Sequence, residues 1–253
     1  MRYEDDLNQT LSDRIAAGLA KRIVKGEFLP GERLVEATIA GAIGVSHGPI
    51  RDALRLLQTM GLVTLSPFKG AQVTVLTQSE LLEIYEVRAL LAGLRARWMA
   101  EDPLRLERIA ALELPIRRLG ELCESLDQAD EYVTVALEVS RVLTDQLRSR
   151  WLRDMMQSLS LQTSRYTRLA LAAVERRRHS SRQWAEILDA IKSGAGDRAQ
   201  SLATALSLST RDAALNALSE IATEQNAKSM HPERTNNRHT RQLTGGANTN
   251  LAA

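Results

Sequence analysis

Two short helical segments joined by Gly44-Val45-Ser46 constrain this chain more than any other feature. Leu34, Val35, Ile39 and Ile43 recur at helical spacing, so the first segment is amphipathic. Gly44 ends it, where a residue free to take positive φ is wanted. Ser46 then N-caps a second helix, and Pro49 falls in its first turn, where a missing N–H costs little. That second helix has two faces. Ile50, Ala53, Leu54 and Leu57 keep core spacing, while His47, Arg51 and Arg55 stand four residues apart on the other side. A helix held by its predecessor on one side and free on the other suits the major groove of DNA. Arginine is well chosen there, because its planar fork reaches guanine O6 and N7 together. The other reading of this polar face is a solvated surface on a helical packing module.

The flanking residues support a small domain over residues 7–76. Pro30-Gly31 is a turn. Gly61-Leu62-Val63 leads into a hairpin with strands Val63–Ser66 and Ala71–Leu76, turned by Pro67-Phe68-Lys69-Gly70. A hairpin in that position is a wing, with Lys69 at its tip placed for a phosphate or the minor groove. Residues 77–79 form a short linker, and Ser79 is expected to N-cap the next helix. Over residues 80–222 nearly everything reads as amphipathic helix. Asp102-Pro103 closes the first of these helices. Further helices fit Leu104–Leu126, kinked or divided at Pro115, then Ala129–Thr144, Arg150–Val174, Arg182–Lys192 and Asp197–Ile221. Ser193-Gly194-Ala195-Gly196 is a helix break. From residue 223 to 253 the apolar pattern fades, and a disordered tail is expected. The fold class is therefore mainly α: an N-terminal winged helix-turn-helix with a small β-hairpin wing, then an all-α antiparallel helical bundle.

Composition narrows the function. The 253 residues carry a net charge of only +2, so any affinity for nucleic acid depends on where the charges sit. One cysteine, Cys123, excludes an internal disulfide framework and fits a reducing cytoplasm; its helical neighbours Leu119, Leu122 and Leu126 make it a packing residue. No run approaches the ~18 apolar residues of a membrane span. No nucleophile motif, phosphate-binding loop or metal cluster appears, and the four histidines are scattered. No catalytic residue, metal ligand or cofactor is expected, and a binding protein is favoured over an enzyme.

Leu29-Pro30-Gly31-Glu32-Arg33-Leu34, Gly44-Val45-Ser46, Pro49-Ile50-Arg51-Asp52-Ala53-Leu54, Gly61-Leu62-Val63 and Gly70 together resemble the GntR family of bacterial regulators. The resemblance implies a sequence-specific transcriptional regulator, most simply a repressor, that binds a palindromic operator in double-stranded DNA as a homodimer. The DNA-contacting set it implies is Arg33, Ser46, His47, Gly48, Arg51, Arg55, Lys69 and Gly70. His47 and Gly48 depart from the family pattern, which usually has arginine and then threonine there.

Residues 80–88 and the pair Ile187–Ile191 and Gly196-Asp197 resemble the FadR-type branch, with its helical FCD-like effector domain. Many relatives hold a divalent metal there with one aspartate and three histidines. Ala136, Ser140, Trp184 and Leu208 occupy the corresponding places, and none is a usual metal ligand. A metal-free effector pocket of Arg88, Ala136, Ser140, Trp184 and Leu208 is expected. Arg88 suits an organic acid, or forms an internal ion pair; Trp184 suits a more apolar ligand, or simply fills the core. Arg176-Arg177-Arg178-His179 reads as a solvated helix end, and Arg234, Arg238 and Arg241 as idle or weakly DNA-attracting.

Overall fold

The computed structural model describes residues 9–67 and 70–230. The chain divides into a unit Met1–Leu218, which holds both candidate sites, and a unit Ser219–Ala253.

Helix α1 (Leu11–Lys25) opens with a capping box: Thr10 accepts from the Asp13 N–H, and Asp13 accepts from the Thr10 N–H. Strand β1 (Arg33–Leu34) precedes the helix pair α2 (Glu36–Ile43) and α3 (His47–Thr59), joined by Gly44 at φ 76°. Strands β2 (Val63–Ser66) and β3 (Gly70–Val73) form the hairpin. The sheet has three strands, antiparallel, in the order β1-β3-β2. The hairpin is shorter than the alternation to Leu76 predicts, and β1 is an addition. Its two residues, Arg33 and Leu34, pair with Gln72 and Ala71, and a strand of that length leaves no periodic trace in sequence. Ile15, Leu19, Ile23, Ile39, Ile50, Leu54, Leu57 and Val73 share one core between these elements.

The bundle begins at α4 (Gln78–Glu101), capped by Thr77 and not by Ser79. Glu80 lies three residues after Thr77 and returns a bond to its N–H, a reciprocity that Ser79 lacks. Next come α5 (Arg105–Ile109), a single 3-10 turn (Ala110–Leu112) and α6 (Glu113–Leu122). The division falls at the 3-10 turn, ahead of Pro115, which sits in the first turn of α6 where no N–H is missed. Helices α7 (Ala129–Asp145), α8 (Arg150–Ala170) and α9 (Val174–Lys192) follow. Helix α9 starts eight residues before the expected Arg182 and takes in the arginine run.

Helix α10 spans Gly196–Met230. Residues 223–230 are therefore helical, against the expectation of disorder. Ala227, Glu224, Gln225 and Lys228 are all good helix formers, with no glycine or proline to interrupt them. The remainder of the expected tail, 231–253, lies outside the described residues. Leu119, Tyr132, Val139, Trp184, Ile187, Ile191 and Ala203 belong to the largest bundle core. No helix among the described residues is long and apolar enough to cross a membrane.

Candidate nucleic-acid interface and effector cavity

The amphipathic split of α3 is realised in space. Ile50, Ala53, Leu54 and Leu57 are buried, and the helix packs against α1 and α2. Ser46, His47, Gly48, Arg51 and Arg55 are all exposed. Ser46 occupies the N-cap of α3 but makes no side-chain capping bond, so its hydroxyl stays available. A Cβ built on Gly48 would meet nothing within 4 Å. Packing does not require a glycine there, yet glycine in a helix costs about 0.5–1 kcal/mol relative to alanine.

The arginines of this face are lightly held. Arg51 pairs with Glu36 of α2 at 3.3 Å, and Arg55 with Asp52 at 3.5 Å. Such exposed pairs are worth only about 0–1 kcal/mol and yield readily to a phosphate. Arg33 is exposed on β1, and Gly70 begins β3 with φ 78°, a conformation that favours glycine. Lys69, expected at the wing tip, lies outside the described residues. The helix N-terminus, the β1 edge and the start of β3 thus belong to one small domain, with their polar groups turned to solvent.

In the bundle, a cavity of about 40 Å³ is lined by Arg88, Ala136, Ser140 and Trp184, four of the five expected pocket residues. Leu208 does not line it. Each helical step turns about 100°, and on α10 the wall is built by Leu206, Ser207 and Thr210 instead. The donor set does not fit a divalent metal. Serine and threonine hydroxyls, a guanidinium and an indole line the cavity, its described lining holds no imidazole or carboxylate, and no group of three or more potential metal ligands occurs among the described residues.

The cavity carries buried positive charge. Arg88 is 8% exposed, and its Nε is buried without a partner. No carboxylate pairs with it among the described residues, so the expected alternative of an internal ion pair is not what the fold builds. Its guanidinium lies 5.4 Å from the Tyr85 ring. Arg95 donates to the Ser140 carbonyl at 2.9 Å and to the Thr144 hydroxyl at 2.7 Å. Burial pushes Arg88 below the usual arginine range, and pushes Arg95 down to about 9, with repulsion from Arg88 adding to it.

The arginine run is only in part the solvated helix end that its composition suggests. Arg177 is 1% exposed and clamps three carbonyls: Leu171 at 3.2 Å, Ala172 at 2.7 Å and Ser125 at 2.8 Å. Arg176 bonds the hydroxyls of Ser209 and Thr210 at 3.1 and 2.8 Å. Arg178 and His179 are the exposed members of the run, and Arg178 pairs with Glu124. A signal was available: three consecutive helical residues sweep roughly 200°, so a helix packed on a bundle turns one of them inward.

Residues 11–73 match the family model described as bacterial regulatory proteins, gntR family, and residues 83–208 match the FCD domain. The chain belongs to the gntR family and carries an FCD domain. It is 30% identical over 142 residues to the HTH-type transcriptional regulator YdhC of Bacillus subtilis (strain 168), covering 56% of this chain and 63% of that relative. Over 78 residues it is 42% identical to the gluconate operon transcriptional repressor of the same organism, covering 31% of this chain and 32% of the repressor. The chain thus spans less than two thirds of the length of these curated relatives. A solved transcriptional regulator of the GntR type from Rhodococcus sp. RHA1 has the same fold, with TM-score 0.66 at 24% identity, covering 82% of this chain and 97% of that one. McbR/YncC of E. coli also shares it, with TM-score 0.60 at 18% identity over 87% of this chain and 99% of that one.

Proposed function

We propose that this protein is a cytoplasmic, homodimeric transcriptional repressor. Helix α3 enters the major groove of a palindromic operator, and a small molecule bound by the helical domain controls the fit. The division of labour follows the residues: 7–76 read DNA, 77–79 link, and 80–222 bind the effector and the second copy. The single observation that carries the reading is the polar face of α3, exposed at Ser46, His47, Gly48, Arg51 and Arg55 while its other face is sealed in a core.

In this reading Arg51 and Arg55 meet base edges and phosphates, and Arg33, Lys69 and Gly70 position the domain on the backbone. Gly48 lets the start of α3 approach the duplex closely, which accounts for a glycine that packing does not demand. A single recognition helix reads only a few base pairs, so a two-fold dimer is implied by the chemistry of reading a longer site. The outward face of α4 offers a surface for it. Val87, Leu90 and Trp98 are exposed there, Leu90 at 70%, and Trp151 and Met155 are exposed on α8. Clusters of exposed apolar side chains of this kind mark association surfaces. On the effector side, Arg88, which has no carboxylate partner among the described residues, favours an anion over an apolar ligand.

The test is operator selection from random duplex DNA, followed by titration at several salt concentrations. The expected result is a palindromic site, an affinity that falls steeply with salt, and a loss of roughly 1–3 kcal/mol in Arg51→Ala. A chain that binds no duplex, or an Arg51→Ala variant that binds as well as the parent, overturns the reading.

A further inference from the structure

Arg88 and Ser140 border two cavities, not one. Besides the small bundle cavity, they line a cleft of about 400 Å³ whose other walls include Val24 of α1, Leu137 of α7, and Ser160 and Leu161 of α8. The bundle cavity, at about 40 Å³, has room for a few waters. The cleft falls within the range of roughly 300–1,000 Å³ typical of small-molecule sites.

The charges of the cleft are nearly all accounted for. Arg141 is held between Glu138 and Asp145 at 2.5 Å each, and Asp145 also accepts from Gln157 at 3.2 Å. Arg88 is the exception. It is more than nine-tenths buried, reaches this cleft, and has no carboxylate to offset it among the described residues. Burying a lone cation is costly unless an anion arrives to pair with it. Around it, Ser140 and Ser160 offer hydroxyls, while Val24, Leu137 and Leu161 offer an apolar wall.

We infer that the effector binds in this cleft, between the DNA-binding domain and the bundle, as a small organic oxyanion whose head pairs with Arg88 and whose compact apolar body lies on Val24, Leu137 and Leu161. The inference rests on the regulator reading above and adds the place, the ligand chemistry and the coupling. A ligand there touches α1 directly. It biases the angle between α1 and helices α7 and α8, and so shifts the population away from the arrangement that fits both half-sites. No relay through the bundle is needed. The head chemistry is that of a carboxylate or a phosphate monoester, since both match the planar fork of arginine.

Calorimetric titration of the full chain with hexanoate, hexyl phosphate and 1-hexanol tests this. One of the two anions is expected to bind and the alcohol is not, and the anion that binds names the head. Arg88→Met and Ser160→Trp, which fills the cleft, are expected to weaken binding at least about tenfold. Ala136→Leu, which fills only the bundle cavity, is expected to bind as the parent does. Circular dichroism and melting curves check folding, and Gln157→Trp at the exposed edge of the cleft replaces Ser160→Trp if that variant does not fold. The bound anion is expected to lower operator affinity. Loss of binding in Ala136→Leu with retention in Ser160→Trp places the anion inside the bundle and overturns the inference. Failure of both anions to bind overturns it as well. Operator binding in anion-free buffer is measured beside each titration, so failure of the cleft is distinguishable from failure of the regulator reading.

Discussion

Glu36 of α2 holds Arg51 of α3 through a single 3.3 Å contact, across the turn that joins the two helices. The arginine side chain is 59% exposed and the carboxylate 35%, so the pair is a weak restraint in water. It parks the guanidinium beside α2 while leaving it free to swing toward a duplex. Glu36→Gln should release it. Operator affinity is expected to rise by a few-fold, because the carboxylate no longer competes with phosphate or base for the same donors. Fluorescence anisotropy against a salt series checks this, and an unchanged or weakened affinity would show that Glu36 helps to position Arg51.

Gly48 is a site where stability and binding should part. Gly48→Ala removes the helix penalty of glycine without meeting any neighbour, so melting temperature should rise, by an amount corresponding to about 0.5–1 kcal/mol. Operator affinity should fall in the same variant if, as proposed, the start of α3 lies against the duplex, where the added methyl would stand. Differential scanning calorimetry and anisotropy measured on one preparation read the two effects separately.

Arg177 and Arg178 are neighbours with opposite roles. Arg177→Ala removes the shared donor from the buried carbonyl of Leu171 and the part-buried carbonyls of Ala172 and Ser125, and a cost of roughly 3 kcal/mol is expected. Arg178→Ala removes an exposed pair with Glu124 and should cost less than about 1 kcal/mol. Urea denaturation of the two variants is the comparison, and equal midpoints would show that the carbonyl clamp adds nothing.

Gly93 of α4 lies under α10. A Cβ at this position would meet the Gln200 carbonyl oxygen at 3.1 Å, and Thr204 sits closer still. The backbone oxygen cannot move aside as a side chain can, so Gly93→Ala should destabilise by about 1–3 kcal/mol despite the better helix propensity of alanine. Thermal melts decide the sign.

The two capping boxes make stability fall in acid. Hydrogen bonds from Thr10 hold Asp13 below the usual carboxylate range, and those from Thr77 do the same for Glu80. A carboxylate with a lowered folded pKa adds stability above its unfolded value, about 4, and loses that stability as pH falls through the folded value. Melting temperature should therefore drop below about pH 4, and the drop should be shallower in Asp13→Asn with Glu80→Gln. An identical acid limb in parent and double variant would remove the caps as its cause.

The winged helix-turn-helix was legible because its signals are local. Gly44, Ser46 and Pro49 punctuate the turn, and a face of four apolar residues on α3 needs only its own period to be recognised. The bundle was legible as helices, but their ends were set by caps and tertiary contacts. Thr77 took the cap from Ser79 because Glu80 stood at the right offset, and α9 began early because Arg177 found three carbonyls to hold. The one-residue exchange of Leu208 for Ser207 at the cavity wall has the same origin, since the rotation of a helix is fixed by what packs on its other sides.

By itself, the sequence determined the helical class and the two-faced helix α3 behind a glycine turn, and it fixed which residue types stand at Arg88, Ala136, Ser140 and Trp184. These are properties of residue type and spacing along one segment. Only the tertiary structure decided that Arg88 meets no carboxylate among the described residues, that Arg177 is internal, and that the larger cleft opens beside Val24 of α1. Those facts depend on side chains brought together from segments that are far apart in the chain, and no local pattern encodes which of them meet.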